Sequence, residues 1–368
     1  MTPEPIPLVD LGLQHRRIAD EVREGFDRVL ANTSFILGPE ATRFEQSFAE
    51  YCGVRHCAGV ANGTDAIEIA LRACGVGSGA EVVIPANTFV ATVEAVVRTG
   101  ATPVLADCDD TYLVSPDAVA DRITPRTRAI VPVHLYGQVA PMKAIGDVAG
   151  DDVVVIEDAA QSQGAAQDGR SAGSFGRAAA TSFYPGKNLG AYGDAGAVLT
   201  DSDEIAEAIR AIRNHGGTAK YEHRVFGVNS RLDGLQAVVL SVKLARLKAW
   251  NAERREAAHR YDDLLADLPQ ATLPRTAPGN EHVWHLYVVR VPRRDDVLAA
   301  LNAAGIGAAI HYPAPVHQLG AFRDLGRGPG SFPLAEQYAG EILSLPIYPG
   351  ITAAQQERVV GVLRSALN

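Results

Sequence analysis

The 368-residue chain predicts an α/β fold: a large, mostly parallel sheet domain followed by a smaller C-terminal α/β domain. Seven short apolar runs recur between helical patterns through the first two thirds, a long helical pattern starts near Leu232, and strand and helix patterns resume beyond it.

The runs are CAGV from 57, EVVIP from 81, PVLAD from 103, AIVPVH from 129, VVVIED from 153, ATSFY from 180 and GAVLT from 196. Near-continuous apolar character fits strands covered on both faces, with the intervening helices as crossovers. TDAIEIALRAC is one such helix, with Ile67, Leu71 and Cys74 at helical spacing. Leu235, Val239, Val242, Leu247 and Trp250 then keep a helical period through a connecting helix, a pattern that leaves Lys243 and Lys248 solvated. WHLYVVRV from 284 reads as a strand, DDVLAALNAAG as a helix closed by Gly305, and the terminal ERVVGVLRSALN as another helix. The expected domains are residues 1–240 and 241–368, and DLGRGPGSFP from 324 reads as a surface loop.

A net charge of -9 and no long Lys/Arg cluster argue against nonspecific nucleic-acid binding. No apolar stretch approaches the roughly 20 residues a bilayer requires, and the first residues lack a basic segment followed by an apolar run. The expectation is a cytoplasmic protein without membrane partners. Cys52, His56 and Cys57 have no second ligand pair nearby, so the four cysteines read as buried thiols and no metal site is expected.

Chemistry concentrates on two residues. Asp158 ends an apolar run, and Lys187 lies 29 positions later in the glycine-bounded PGKNLG; it is one of five lysines in the chain. A lysine amine that forms a Schiff base and a carboxylate that holds a pyridine nitrogen protonated are what a pyridoxal phosphate enzyme needs. Gly63 and Thr64 follow a strand at a helix start, where free amides and the helix dipole favour a phosphate; Asn-Gly-Thr is also ordinary capping sequence. Ser182 is a second candidate phosphate ligand, and Gly186 and Gly190 would give the lysine turn unusual backbone angles. Gln161, three after Asp158, would share its side if the segment forms a helical turn, and Phe89 after a strand would stack on a planar ring. Asn229 and Arg231 stand just before the long helix, which Asp233 would cap.

VIEDAAQSQGA, SFYPGKNLGAYGDAGAVLT, ANGTDAIEIAL, PVHLYGQ and GVNSRLDGLQAVVL resemble the DegT/StrS family of pyridoxal phosphate-dependent sugar aminotransferases, nearly end to end from IPLVDLGLQ to IHYPAPVHQLGAF. The resemblance implies an aspartate-aminotransferase-like fold (fold type I) with a seven-stranded large domain and a homodimer with shared active sites. By the same carry-over, Lys187 binds pyridoxal 5'-phosphate, Asp158 partners its ring nitrogen, and Gln161 contacts its ring hydroxyl where many relatives carry histidine. Gly63, Thr64 and Ser182 bind the phosphate, Asn229 reaches in from the other subunit, and Phe89 stacks on the ring. Tyr184, Lys220, Arg224, Tyr312 and His317 resemble substrate-side positions. The implied reaction passes an amino group from L-glutamate, through pyridoxamine phosphate, to a nucleotide-linked keto sugar. Carbon three of a dTDP-3-keto-6-deoxyhexose is the preferred acceptor and carbon four the alternative. A dehydrating branch of the family has histidine where Lys187 stands, and a cysteine desulfurase needs a late cysteine, whereas the last here is Cys108. A ligand sensor retaining the fold without catalysis is the reading from another class.

Overall fold

The computed structural model describes residues 4–219 and 221–368. All seven apolar runs form one sheet: β1 His56–Val60, β2 Glu81–Pro85, β3 Thr102–Ala106, β4 Thr127–Ile130, β5 Val154–Asp158, β6 Ala178–Ser182 and β7 Gly196–Thr200, in the order β1-β7-β6-β5-β4-β2-β3. Neighbours from β6 through β3 are parallel, while β7 runs antiparallel to both β1 and β6. Helices cover both faces, and the strand centres are apolar for that reason: Val82, Ile84, Ile130, Ile156 and Val198 are all buried. Burying each such side chain contributes about 1.5–3 kcal/mol.

Two crossover helices bring residues to the carboxyl ends of the parallel strands. Helix α1, Gly63–Ala73, is capped by the Asn62 side chain, which accepts from the Asp65 amide at 2.8 Å, and it buries Ile67 and Leu71 against the sheet. Helix α2, Val90–Arg98, follows β2, with Phe89 at its N-cap position.

The long helix α3, Gly234–Leu265, links two cores. Its first half buries Ala237, Leu240 and Leu247 beside the large sheet. Its second half buries Ala257, Tyr261 and Leu265 against a two-stranded sheet and two helices. The strands are β8 Tyr287–Arg290 and β9 Ile342–Leu345, antiparallel; the helices are α4 Arg294–Ala303 and α5 Ala353–Leu367. At a rise of 1.5 Å per residue, α3 spans about 48 Å, enough to serve both cores as one rigid strut.

One expectation fails on this helix. Lys248 is exposed, but Lys243 is only 2% exposed, and its Nζ donates to the Gly190 carbonyl at 2.7 Å. The loop between β6 and β7 folds over that helical face, which periodicity within the helix does not reveal. Asp233 occupies the N-cap position of α3 without a capping side-chain hydrogen bond, and Arg231 donates to Asn214 Oδ1 at 3.3 Å. No helix among the described residues is long and apolar enough to cross a membrane.

Candidate active site

The carboxyl ends of β5 and β6, the N-termini of α1 and α2, and the segments around 285 and 312 enclose a cavity of about 450 Å³. Gly63, Thr64, Phe89, Asp158, Gln161, Ser182, Tyr184, Lys187 and Tyr312 all line it, so nine of the thirteen residues given site roles by the family resemblance converge on one space.

Asp158 is nearly buried, and its oxygens are held from two sides: Thr92 Oγ1 donates to Oδ2 at 2.8 Å, and the Ala160 amide donates to Oδ1 at 3.1 Å. Because the Thr92 proton is committed to the carboxylate, Thr88 Oγ1 donates in turn to Thr92 at 2.8 Å. Burial raises the Asp158 pKa above the ordinary carboxylate value, opposed by these hydrogen bonds and the charge of Lys187. Lys187 lines the cavity, its backbone amide donating to Tyr184 O at 2.8 Å in a tight turn. Removal of its amine from bulk water lowers the pKa to about 8, against the smaller raising effect of Asp158.

The same cavity holds a candidate anion cradle. The first amides of α1 have no acceptor within the helix, and the Thr64 and Ser182 hydroxyls border the same space. A Cβ at Gly63 would sit 2.6 Å from Ser182 Cβ, so only glycine leaves room for the two elements to meet. The Gln161 side chain is oriented by its neighbours: the Tyr136 amide donates to Oε1 at 2.6 Å, leaving Nε2 to donate to Tyr312 Oη at 3.1 Å. The segment after Asp158 is a series of turns rather than the expected helical turn, yet Gln161 still reaches the cavity. Phe89 is 49% exposed at the cavity's edge and tilts against Tyr312 with ring centroids 5.1 Å apart.

Gly186 and Gly190 have no left-handed backbone. Gly190 is instead needed for space, because a Cβ there would lie 2.3 Å from the Pro185 carbonyl oxygen. His317 lies outside the cavity, buried beside Phe332 with Nε2 3.0 Å from Glu336 Oε1. Asn229 is exposed and bridges to Asn214, while Arg224 is exposed and ion-paired with Glu222 at 2.7 Å; neither lines the cavity of its own subunit. Lys220 falls outside the described residues. Sequence reasoning missed Thr92, Asn62, His285 and His311. An Asn just before a helix start and a Thr on the first turn of α2 were available signals, but only the fold brings the two histidines to Lys187.

A carboxylate, an amine and a helix N-terminus flanked by two hydroxyls lining one cavity fit pyridoxal phosphate, with Gly63 cleared of a side chain beside Ser182. Fold and cavity together define a pyridoxal phosphate-dependent aminotransferase of the α/β class. A model of the DegT/DnrJ/EryC1/StrS aminotransferase family matches residues 16–364, and the chain belongs to that family. Over 362 residues it is 46% identical to the erythromycin biosynthesis sensory transduction protein EryC1 of Saccharopolyspora erythraea, with 98% of this chain and 99% of the relative covered. It is 45% identical over 361 residues to dTDP-3-amino-3,4,6-trideoxy-alpha-D-glucose transaminase of Streptomyces venezuelae, covering 98% and 95% of the two chains. Among solved structures, S. venezuelae DesV in complex with a ketimine intermediate superposes with a TM-score of 0.96 at 44% identity, over 100% of both chains.

Proposed function

We propose that this aminotransferase moves an amino group from L-glutamate to carbon three of a dTDP-linked 3-keto-6-deoxyhexose, in amino-deoxysugar biosynthesis. The reading rests on one juxtaposition: Lys187 and Asp158 share a cavity with Gly63, Thr64 and Ser182. The carbon-three preference is supported by the similarity to the S. venezuelae transaminase, whose name places the nitrogen on carbon three of its sugar.

When bound there, pyridoxal phosphate supplies a carbonyl that condenses with amines and a ring that takes up the electrons left by a broken C–H bond. The chain supplies position and protons. Lys187, with its pKa near 8, has a substantial neutral fraction at mildly alkaline pH, so Nζ can accept a proton from the reacting carbon and return it. Asp158, fixed by Thr92 and the Ala160 amide, presents its carboxylate to a protonated ring nitrogen. The Gly63 and Thr64 amides with the Thr64 and Ser182 hydroxyls hold the phosphate. Gln161 Nε2 donates to the ring oxygen, Phe89 covers a ring face, and Tyr184 and Tyr312 border the sugar.

Asn229, Lys220 and Arg224 would serve the cavity of a partner subunit in a homodimer with shared sites, His317 acting only indirectly through the 316–336 segment. The strongly exposed Tyr221, Val225 and Phe226 on the same stretch as Asn229 support this arrangement. Sedimentation analysis of the purified protein would break that part if it gave a monomer retaining full turnover.

The deciding experiment incubates the holoenzyme with glutamate and a panel of dTDP-3-keto and dTDP-4-keto-6-deoxyhexoses, reading product mass and the position of the new nitrogen. Amination at carbon four alone would replace carbon three with the alternative. A second reading, a ligand sensor without turnover, is favoured by the name of the S. erythraea relative, a sensory transduction protein. Absence of product across the whole panel would support it. Retention of both the amine and the carboxylate weighs against it, since sensing alone does not need the electron sink.

A further inference from the structure

His285 is not explained by cofactor binding as described, yet it lines the same cavity as Lys187 and is otherwise buried. Its proton can be placed from its neighbours. Asn251 Nδ2 donates to the Gln163 carbonyl at 2.9 Å, so Asn251 Oδ1 is the free end of that amide and accepts from Asn188 Nδ2 at 2.9 Å. Asn188 Nδ2 also donates to the Val283 carbonyl at 2.9 Å. A backbone carbonyl only accepts, so each of the two amides is locked against a flip. Asn188 Oδ1 therefore faces His285 Nδ1 at 3.3 Å as an acceptor, and Nδ1 must carry the proton.

In the neutral ring the other nitrogen, Nε2, is then unprotonated, and it has no hydrogen-bond partner among the described residues. The ring's remaining opening is the cavity. We propose that His285 is a positioning residue for the Lys187 amine: a neutral imidazole, its tautomer dictated from α3 through Asn251 and Asn188, that offers Nε2 as a hydrogen-bond acceptor on the Lys187 side of the cavity. An acceptor there takes one N–H of the free amine and leaves its lone pair aimed at the reacting carbon. Neutrality of the ring matters because a cation would compete with the amine for the same space. Burial and the positive charges of Lys187 and Arg254, with smaller effects from His311 and His282, hold the imidazole well below its ordinary pKa. The assignment rests on Lys187 being the cofactor-binding amine, and its test separates the two claims.

In cofactor-free protein, nitrogen NMR of labelled histidine at pH 7 is expected to show His285 neutral with its proton on Nδ1; a proton on Nε2, or an imidazolium, overturns the assignment. In the holoenzyme, His285→Asn keeps an amide where Nδ1 stood and removes the acceptor, whereas His285→Gln restores a polar atom near the Nε2 position. H285Q is expected to fall less than threefold, and H285N to lose about tenfold in kcat, the scale of one directed hydrogen bond, with KM for glutamate within twofold and cofactor absorbance retained. Equal losses in both variants with a lowered melting temperature would make His285 structural, and a change confined to KM would make it a substrate contact. If Lys187→Ala kept the absorbance of lysine-bound cofactor, the reading of Lys187 would fail while the histidine tautomer stood.

Discussion

Among the described residues, half-buried Lys187 and buried Lys243 are both withdrawn from bulk water, and they differ in what surrounds them. Lys187 and Lys243 both have their pKa brought down to about 8 by loss of water. Lys187 opens onto a cavity with Asp158 nearby. Lys243 is spent on the Gly190 carbonyl and the face of Tyr192, whose ring centroid lies 4.9 Å away. Desolvation alone therefore makes an amine easier to deprotonate but gives it nothing to do; access and a counter-charge separate a reactive lysine from a strut.

The strongest way to break this contrast is to remove each amine. Lys187→Ala is expected to lower amino transfer by at least about a thousandfold and to abolish the absorbance of lysine-bound cofactor, read by stopped turnover assay and spectrophotometry. If Lys243→Met did the same without unfolding, the distinction between the two would collapse. Removing the counter-charge comes next. Asp158→Ala should cost on the order of a hundredfold in turnover, and should drop the Lys187 pKa below about 8, because the carboxylate is the one influence raising it. Titrating the absorbance change when pyridoxal phosphate is added to cofactor-free protein at successive pH values checks the direction.

Thr92→Val tests the same partner more gently. Loss of a donor to Asp158 raises that carboxyl further, so the acid limb of the pH–rate profile should move to higher pH with roughly tenfold lower activity below it. The smallest effect on chemistry is expected at Lys243, where the readout is stability. Its folded pKa of about 8 lies below the ordinary lysine value, so the cost of burying its charge is fully present below about pH 8 and disappears as pH rises to about 10.5. Relative to Lys243→Met, the wild type should gain up to about 3 kcal/mol across that window, measured by denaturant melts; a flat difference would show that folding leaves the pKa of the amine unchanged.

The same pair marks where sequence was legible. The apolar centres of β2, β4 and β5 announced themselves because strand centres covered on both faces must be apolar, and Asp158 and Lys187 stood out as charged residues near such runs. Lys243 was misread because helical periodicity describes one helix and not the loop that folds onto it. His285 lies 98 positions from Lys187 in a run that reads simply as a strand, and its tautomer depends on Asn188 and Asn251 from two further segments. Gly190 was seen as a special position for the wrong reason: the constraint is the nearby Pro185 carbonyl, a distance no local pattern encodes. His317 and Arg224 came from motif resemblance, and within one subunit they remain apart from the cavity.

The antiparallel course of β7 has a mechanical consequence. Residues 183–195 leave and return at neighbouring strands, closed at the base where Ser182 pairs with Gly196, and a Cβ on Gly196 would lie 2.4 Å from the Asn62 carbonyl beside the start of α1. On the proposed assignment, the grip on the phosphate and the grip on the aldehyde would thus belong to one tethered clasp. A single protease cut within that loop should therefore release the cofactor in one step while the remaining strands stay folded, whereas a cut in the 326–331 loop should leave the clasp shut.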